Sequence, residues 1–168
     1  MTVDFEFRKQ VMDYHIGSDL IKYCYQCSRC SDNCPITNVT TDFYTTTGYN
    51  PRSNILNALL GYKDAIFSAD ALTIWGCTVC DTCDEVCPQN IELTEIFTLL
   101  KNQSVTNGDA PDFIYSQARA IFDSAKAIPT QPAIERRREQ LGLPPVAEPD
   151  ISEFQTLLKN IGADKKLK

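Results

Sequence analysis

The sequence lacks the short motifs by which many enzymes bind nucleotides or activate a nucleophile. It contains no G-x-G-x-x-G stretch, so nothing in it predicts bound flavin or nicotinamide, and it contains no phosphate-binding loop. No Ser/His/Asp set is recognisable, and His15 is the single histidine. These absences argue against a nucleotide-dependent enzyme and against a hydrolase of the triad type.

Long apolar runs and an excess of basic residues are also missing. No run approaches the roughly 18–20 apolar residues that a membrane-spanning helix needs. Residues 1–6 show neither a basic start nor an apolar stretch, so we expect no secretory signal. The formal net charge is −6, which disfavours nucleic acid as a partner because no basic face could displace phosphate counterions. We therefore expect a cytoplasmic protein without direct membrane insertion.

What the sequence does have is eight cysteines, all of them in two runs of identical spacing. Each run follows the pattern C-x2-C-x2-C-x3-C-P. The first run contains Cys24, Cys27, Cys30 and Cys34, and the second contains Cys77, Cys80, Cys83 and Cys87. This spacing is typical of bacterial ferredoxins with two [4Fe-4S] clusters, in which the fourth cysteine of each run ligates the other cluster.

The spacing suits a cubane cluster for a geometric reason. Three cysteines separated by two residues each let one tight loop present three thiolates. The fourth cysteine follows after a longer gap, and the proline behind it stops the turn from continuing. We therefore predict two [4Fe-4S] clusters that exchange their last ligands. One is bound by Cys24, Cys27, Cys30 and Cys87, and the other by Cys77, Cys80, Cys83 and Cys34.

Three other uses of these cysteines compete with iron–sulfur binding. A structural zinc site also uses C-x2-C pairs, but it needs four tetrahedral ligands and not two triplets that are each followed by Cys-Pro. A disulfide framework is typical of smaller secreted chains, and a redox-active C-x-x-C dithiol would not be repeated in this way. Iron–sulfur clusters are the preferred interpretation. With every thiolate committed to iron, no cysteine is left as a nucleophile, and we predict no catalytic residue.

Apolar periodicity and helix boundaries predict an all-α fold. Asn50-Pro51 is a helix start, Gly61 a helix end, and residues 93–107 carry apolar side chains at helical spacing. The polar stretch 37–47 is expected to be a loop, and Trp75 is expected to pack against a cluster and exclude water. The predicted class is a helical two-[4Fe-4S] ferredoxin-like domain, an alpha-helical ferredoxin, with a C-terminal helical extension.

The end of the chain differs in composition from the rest. Prolines break residues 129–168 into short pieces, and an amphipathic helix from about residue 151 closes the sequence. That helix can dock on its own core or on a partner protein. We divide the chain into an alpha-helical ferredoxin domain that binds both clusters, residues 1–128, and a proline-rich linker with a partner-docking tail, residues 129–168.

Several short stretches resemble one family. They are similar to stretches of the C subunit of the CoB–CoM heterodisulfide reductase, the small iron–sulfur subunit of methanogenic archaea. The stretches are Cys24-Tyr25-Gln26-Cys27, Cys34-Pro35, Asn50-Pro51-Arg52, Trp75-Gly76-Cys77 and Cys87-Pro88. The resemblance covers about residues 5–125 and implies an all-helical fold with two [4Fe-4S] clusters.

The resemblance also implies partners and a role. In the family, electrons from flavin-based bifurcation pass from the A subunit, which bears flavin and clusters, through the C subunit to the cysteine-rich B subunit. The B subunit reduces the CoM-S-S-CoB heterodisulfide in methanogenesis. We thus expect a non-catalytic electron-relay subunit of an oxidoreductase complex. A relay subunit of a related sulfur-metabolism or succinate- or glycolate-type oxidoreductase and a free ferredoxin-like carrier remain as alternatives.

Overall fold

All regular structure in the described part of the chain is helical, which confirms the predicted all-α class. The computed structural model describes residues 2–15, 17–40, 48–67, 73–128, 130–147 and 149–167. In these ranges the α-helices are α1 (Phe5–Met12), α2 (Arg29–Asp32), α3 (Pro35–Thr40), α4 (Pro51–Leu60), α5 (Lys63–Ile66), α6 (Thr82–Glu85), α7 (Leu93–Asn107), α8 (Asp112–Ser124), α9 (Pro132–Gln140) and α10 (Ser152–Asn160). Two 3-10 helices cover Ser18–Tyr23 and Asp164–Lys166. None of the helices in the described ranges is both long enough and apolar enough to cross a membrane.

The chain folds as two units, Met1–Asp109 and Ala110–Lys168. The first unit contains both cysteine runs and the helices up to α7, and the second contains α8, α9 and α10. The sequence-based boundary at residue 128 stays a prediction about where the partner-docking tail begins.

Helix α4 lies in the middle of the first unit, where α1, α2, α5 and the first 3-10 helix contact it. Its boundaries are those that the sequence predicts. Asn50 caps the helix by accepting a hydrogen bond from the Ser53 N–H at 3.1 Å, and Pro51 occupies its first turn. Gly61 ends it with φ +78°. The core around α4 consists of the buried side chains Phe7, Val11, Ile21, Ile55, Ala58, Ile66, Ile74, Cys83, Ile91, Leu93, Ile96, Phe97 and Leu100.

Helix α7 also contributes buried side chains to this core. It covers the predicted range, Leu93–Asn107, and ends at Gly108 with φ +83°. Ile96, Phe97 and Leu100 are fully buried on one face, as their helical spacing predicts.

The sequence predicts a loop over residues 37–47. This prediction is wrong for residues 37–40, because α3 continues to Thr40. Pro35 occupies the start of this helix, where its missing N–H costs nothing. The Thr40 hydroxyl donates to the Ile36 carbonyl at 2.6 Å, so a polar side chain is accommodated within the helix. Residues 41–47 lie outside the described residues.

In the second unit the tail helix α10 packs on α8. The Gln155 Nε2 group donates to the Phe122 carbonyl at 3.1 Å, and the Lys159 ammonium lies 6.0 Å from the centre of the Phe122 ring. Leu157 is 59% exposed and Ile161 is 77% exposed. Docking on its own chain therefore covers only part of the apolar surface of α10.

Gly61 provides a test of the packing between α1 and α4. A Cβ atom at Gly61 would lie 2.6 Å from the backbone oxygen of Asp4. We expect Gly61→Ala to cost about 1–2 kcal/mol from the left-handed backbone alone, plus a further cost from this clash. Gly162→Ala is the matched control, because Gly162 has φ +71° with open space around it. Amide hydrogen exchange in the unit that carries each substitution measures both changes, and equal losses would contradict the close approach.

Candidate metal centres

Two cavities in the first unit are each lined by four cysteines. Cavity 1 is lined by Cys24, Cys27, Cys30 and Cys87. Cavity 2 is lined by Cys34, Cys77, Cys80 and Cys83. Each cavity therefore combines three cysteines of one run with the last cysteine of the other run.

The two cysteine loops have the same backbone conformation at equivalent positions. The residue before and the residue after the second cysteine of each run have positive φ angles. They are Gln26 (60°) and Ser28 (68°) in the first loop, and Val79 (54°) and Asp81 (60°) in the second. A positive φ is unfavourable for residues other than glycine, above all for a β-branched residue such as Val79. The tight loops therefore hold strained backbone that the surrounding fold has to maintain.

Directly after the third cysteine, each run carries a residue that bonds to the start of a core helix. In the first run the Ser31 hydroxyl donates to Asn50 Oδ1 at 2.8 Å and accepts from the Arg52 N–H at 3.3 Å, at the start of α4. In the second run Asp84 Oδ1 accepts from the Thr94 N–H at 3.1 Å, at the start of α7, and the Thr94 hydroxyl donates to Asp84 Oδ2. Bonds at the first turns of α4 and α7 thus fix the two cysteine loops in place.

The two cavities are immediate neighbours. Pro51 lines cavity 2 and the next residue, Arg52, lines cavity 1; likewise Leu93 lines cavity 1 and Thr94 lines cavity 2. The first turns of α4 and α7 therefore lie against both cavities. The partial positive charge at a helix N-terminus favours an anionic group there, and a cluster held by four thiolates is anionic.

N–H groups also point at the cysteine sulfurs. In each cavity, donors lie 3.2–3.5 Å from Sγ atoms, as N–H···S hydrogen bonds. The pairs are Gln26 Nε2 with Cys24, Ile91 N with Cys87, Val79 N with Cys77, and Thr37 N with Cys34. Such bonds stabilise negative charge on sulfur and are one of the determinants of cluster potential.

Burial opposes ionisation of the inner cysteines. It raises the pKa of the Cys83 thiol well above its usual range, and the Asp84 carboxylate adds to this rise. Burial likewise raises the pKa of the Cys30 thiol. At the surface, hydrogen bonding with Thr82 lowers the pKa of the Cys80 thiol. A positively charged metal that coordinates the sulfurs offsets this effect of burial on the pKa, because a coordinated thiol loses its proton.

The donor set of each cavity fits a [4Fe-4S] cluster, which is held by four cysteine thiolates. All eight cysteines are free of disulfide bonds. Apolar side chains complete the walls, with Ile55 and Ile91 in cavity 1 and Ile36 and Pro51 in cavity 2. Over the part of the chain that the structure describes, no three His, Cys, Asp or Glu side chains are arranged to hold a single metal ion.

Trp75 does not occupy the position that the sequence predicts for it. Among the described residues that line the two cavities, Trp75 is absent. Its indole N–H donates to the Ser104 hydroxyl of α7 at 3.2 Å, and the Lys101 ammonium lies 5.6 Å from the centre of its ring. Lys101 also donates to the Cys77 carbonyl at 2.5 Å, and burial lowers its pKa. The tryptophan therefore helps to attach the second cysteine run to α7.

The aromatic residue that does line cavity 2 is Tyr49, which the sequence analysis missed. It is 1% exposed, and its ring packs edge-on against Phe97 with centroids 6.2 Å apart. Burial raises the pKa of its hydroxyl far above the usual range, with Cys77 adding to the rise, so the hydroxyl keeps its proton. The one signal in the sequence is the position of Tyr49 directly before the Asn50-Pro51 helix start.

Comparisons with known proteins give one family and several relatives. The sequence pattern of the 4Fe-4S dicluster domain family matches residues 20–91, which include both cysteine runs. The C 2 iron–sulfur subunit of the CoB–CoM heterodisulfide reductase of Methanocaldococcus jannaschii is 35% identical over 89% of this chain and 80% of its own length. The C2 subunit of the H2/formate:CoB-CoM heterodisulfide,ferredoxin reductase of Methanococcus maripaludis is 32% identical over 86% of this chain and 77% of its own length. The C subunit of the H2:CoB-CoM heterodisulfide,ferredoxin reductase of Methanothermobacter thermautotrophicus is 28% identical over 97% of this chain and 85% of its own length.

The bond between Asp84 and Thr94 predicts how the second cysteine loop depends on α7. Asp84→Ala removes this bond at the first turn of α7, and we expect it to cost about 1 kcal/mol and to speed the loss of metal from cavity 2. Asp84→Asn keeps an acceptor oxygen and should restore most of the stability. Glu85→Ala, at an exposed neighbouring position, is the control. Thermal unfolding and the rate of iron release to a chelator measure the effect; equal behaviour of Asp84→Ala and Glu85→Ala would refute it.

Proposed function

This chain belongs to the family of small iron–sulfur (C) subunits of CoB–CoM heterodisulfide reductases, and from this we propose that it is an electron-relay subunit of such a complex. Electrons would pass through its two [4Fe-4S] clusters from the flavin- and iron–sulfur-bearing A subunit to the cysteine-rich B subunit. The B subunit would reduce the CoM-S-S-CoB heterodisulfide in methanogenesis. The pair of adjacent four-cysteine cavities is the observation that carries the proposal.

A bound [4Fe-4S] cluster supplies one-electron transfer, and the residues of this chain supply its position and surroundings. The cysteine loops hold the sulfurs, and the hydrogen bonds of Ser31 and Asp84 fix those loops to α4 and α7. Apolar walls shield the inner sulfurs from water, although Cys27 and Cys80 are exposed, and a lower local dielectric constant is one determinant of potential. Because Pro51 and Arg52 line different cavities, only the first turn of α4 separates the two sites there, as a relay requires.

For the ligands we propose the exchanged sets. The first cluster is held by Cys24, Cys27, Cys30 and Cys87. The second is held by Cys77, Cys80, Cys83 and Cys34. The lining of the two cavities supports this assignment, since the fourth sulfur of each set comes from the opposite run.

The proposal gives the chain no substrate-converting step of its own. All eight cysteines are committed to metal, and the relatives are subunits of larger reductases by their names. Reduction of the heterodisulfide is therefore assigned to the cysteine-rich partner. We also infer a cytoplasmic location, because the cysteines have to stay reduced to bind iron.

The exchange of the fourth ligands can be tested one cluster at a time. Cys87→Ser should damage the cluster held by Cys24, Cys27 and Cys30, although Cys87 belongs to the other run. Cys34→Ser is the reciprocal variant and should damage the other cluster. Iron analysis of the unaltered chain should give about eight iron atoms. Electron paramagnetic resonance and Mössbauer spectra then distinguish the clusters, and damage confined to the run that carries the substitution would refute the exchange. Zinc in place of iron would refute the proposed function itself.

The tail provides a second test, because we propose that α10 binds the partner proteins of the complex. Leu157 on α10 and Ile161 at its C-terminal cap are exposed, so we expect that replacing both with Gln keeps the fold and weakens co-purification with the A and B subunits by about tenfold or more. Ile128→Gln is the control, at a site that is 75% exposed in the same unit.

The same purification distinguishes a member of a complex from a freely diffusing carrier. A native preparation in which the chain is a monomer with no flavoprotein or disulfide-reducing companion would contradict the relay role. Unchanged co-purification of the Leu157/Ile161 double variant would contradict the role of the tail alone.

A further inference from the structure

The hydroxyl of Tyr49 is a polar group at the wall of cavity 2 that the fold leaves without a well-formed hydrogen bond. The side chain is 1% exposed, and its Oη atom has no partner in good hydrogen-bond geometry within the described ranges of the chain. The Cys77 thiol is close enough to interact with it, and after burial this thiol is the next cause that raises the pKa of the hydroxyl. Tyr49 lines cavity 2 together with Cys34, Cys77 and Cys83. A buried hydroxyl without a partner costs free energy, because it has lost its hydrogen bonds to water.

Two side chains of α3 form hydrogen bonds with the backbone of Tyr49, one with its carbonyl and one with its N–H. The Thr37 hydroxyl donates to the Tyr49 carbonyl at 2.9 Å, and the Thr40 hydroxyl accepts from the Tyr49 N–H at 3.1 Å. Thr37 also donates its backbone N–H to Cys34 Sγ at 3.5 Å. The turn that presents a cysteine of cavity 2 therefore also fixes the tyrosine.

The ring of Tyr49 is fixed as firmly as its backbone. On one side it packs edge-on against Phe97. On the other it lies against Gly76, where an added Cβ atom would come within 2.8 Å of Cδ2 and 2.9 Å of Cβ and Cγ. Gly76 directly precedes Cys77, so a larger residue there would push the ring away from the cysteine loop. The fold thus holds a donor without a well-formed hydrogen bond at a site lined by four sulfurs.

We propose that the Tyr49 hydroxyl donates a hydrogen bond to a sulfur of the cluster in cavity 2 and thereby raises the reduction potential of that cluster. The proposal rests on the proposed function, since it requires a cluster in this cavity. A donor to sulfur stabilises the more negative, reduced state, and hydrogen bonds to sulfur are known determinants of cluster potential. The acceptor is a cysteine sulfur or a sulfide of the cluster. With either acceptor, the hydrogen bond should raise the reduction potential of the cluster.

Cavity 1 offers a different donor. There the amide of Gln26 lies 3.2 Å from Cys24 Sγ, and no tyrosine is among the described residues that line the cavity. The two cysteine runs have identical spacing, so their loops alone would give two similar clusters. Tyr49 makes cavity 2 chemically distinct, and its effect should be confined to one of the two clusters.

Tyr49→Phe tests the proposal in the full chain with both clusters bound. The substitution removes one oxygen and keeps the ring that packs against Phe97. In a redox titration followed by electron paramagnetic resonance, one of the two midpoint potentials should fall while the other stays unchanged. In deuterated water, a deuteron coupled to the reduced cluster should be seen in the unaltered chain and lost in the variant. Tyr25→Phe is the matched control, next to Cys24 but 59% exposed; it should change neither potential.

Gly76→Ala is a second variant, which should disturb the proposed hydrogen bond from Tyr49 to the cluster without removing the hydroxyl. By displacing the Tyr49 ring it should weaken the deuteron coupling and lower the same midpoint potential. Full iron content with both potentials and the deuteron coupling unchanged in Tyr49→Phe would overturn the inference and leave the proposed function intact. An unaltered chain that binds no iron would instead overturn the proposed function.

Discussion

Neither cysteine run can complete a four-sulfur cavity by itself. Cys34 lies with the second run and Cys87 with the first, so the chain between them has to return on itself and bring α2 against α6. Closing a loop of this length costs conformational entropy, and binding of metal at both cavities offsets that cost in the folded state. On the proposed ligand sets, the folding of the first unit and the filling of its cavities would be one linked equilibrium. The loss of a single sulfur would then affect a cavity on the far side of that loop.

The connection between the cysteine loops and the core runs through two side chains. Ser31 and Asp84 hold equivalent places directly after the third cysteine, and they bond to the first turns of α4 and α7. Those helices bury the apolar faces that form the core. The positions of the sulfurs thus depend on the buried core of the first unit. Because the loops contain strained positive-φ residues, such rigid support is needed to keep their geometry.

Sequence patterns predicted the parts of the structure that depend on local signals. The boundaries of α4 and α7 follow from Asn50-Pro51 and from glycines past each end, and the cysteine spacing points to the two cavities. The extent of α3 and the place of Tyr49 depend on contacts between segments that are distant in sequence. The Thr37 and Thr40 hydroxyls bond to the backbone of Tyr49, so polar residues that favour a loop locally become part of a helix. Trp75 has the larger ring and the place nearer to a cysteine in sequence, yet only Tyr49 lines a cavity.

Identical spacing in the two runs does not make the two cavities equivalent. Their cysteine loops match in backbone conformation, but the walls come from different segments of the chain. Cavity 1 has Arg52 in its wall, whereas in cavity 2 burial and the adjoining Asp84 carboxylate both raise the pKa of the Cys83 thiol. Positive charge near a cluster favours its reduced state and negative charge disfavours it. Two sites with equal electron affinity would be reduced to the same extent, so neither would be reduced before the other. The residues outside the cysteine motifs are therefore where this chain can set the order in which its two sites are reduced.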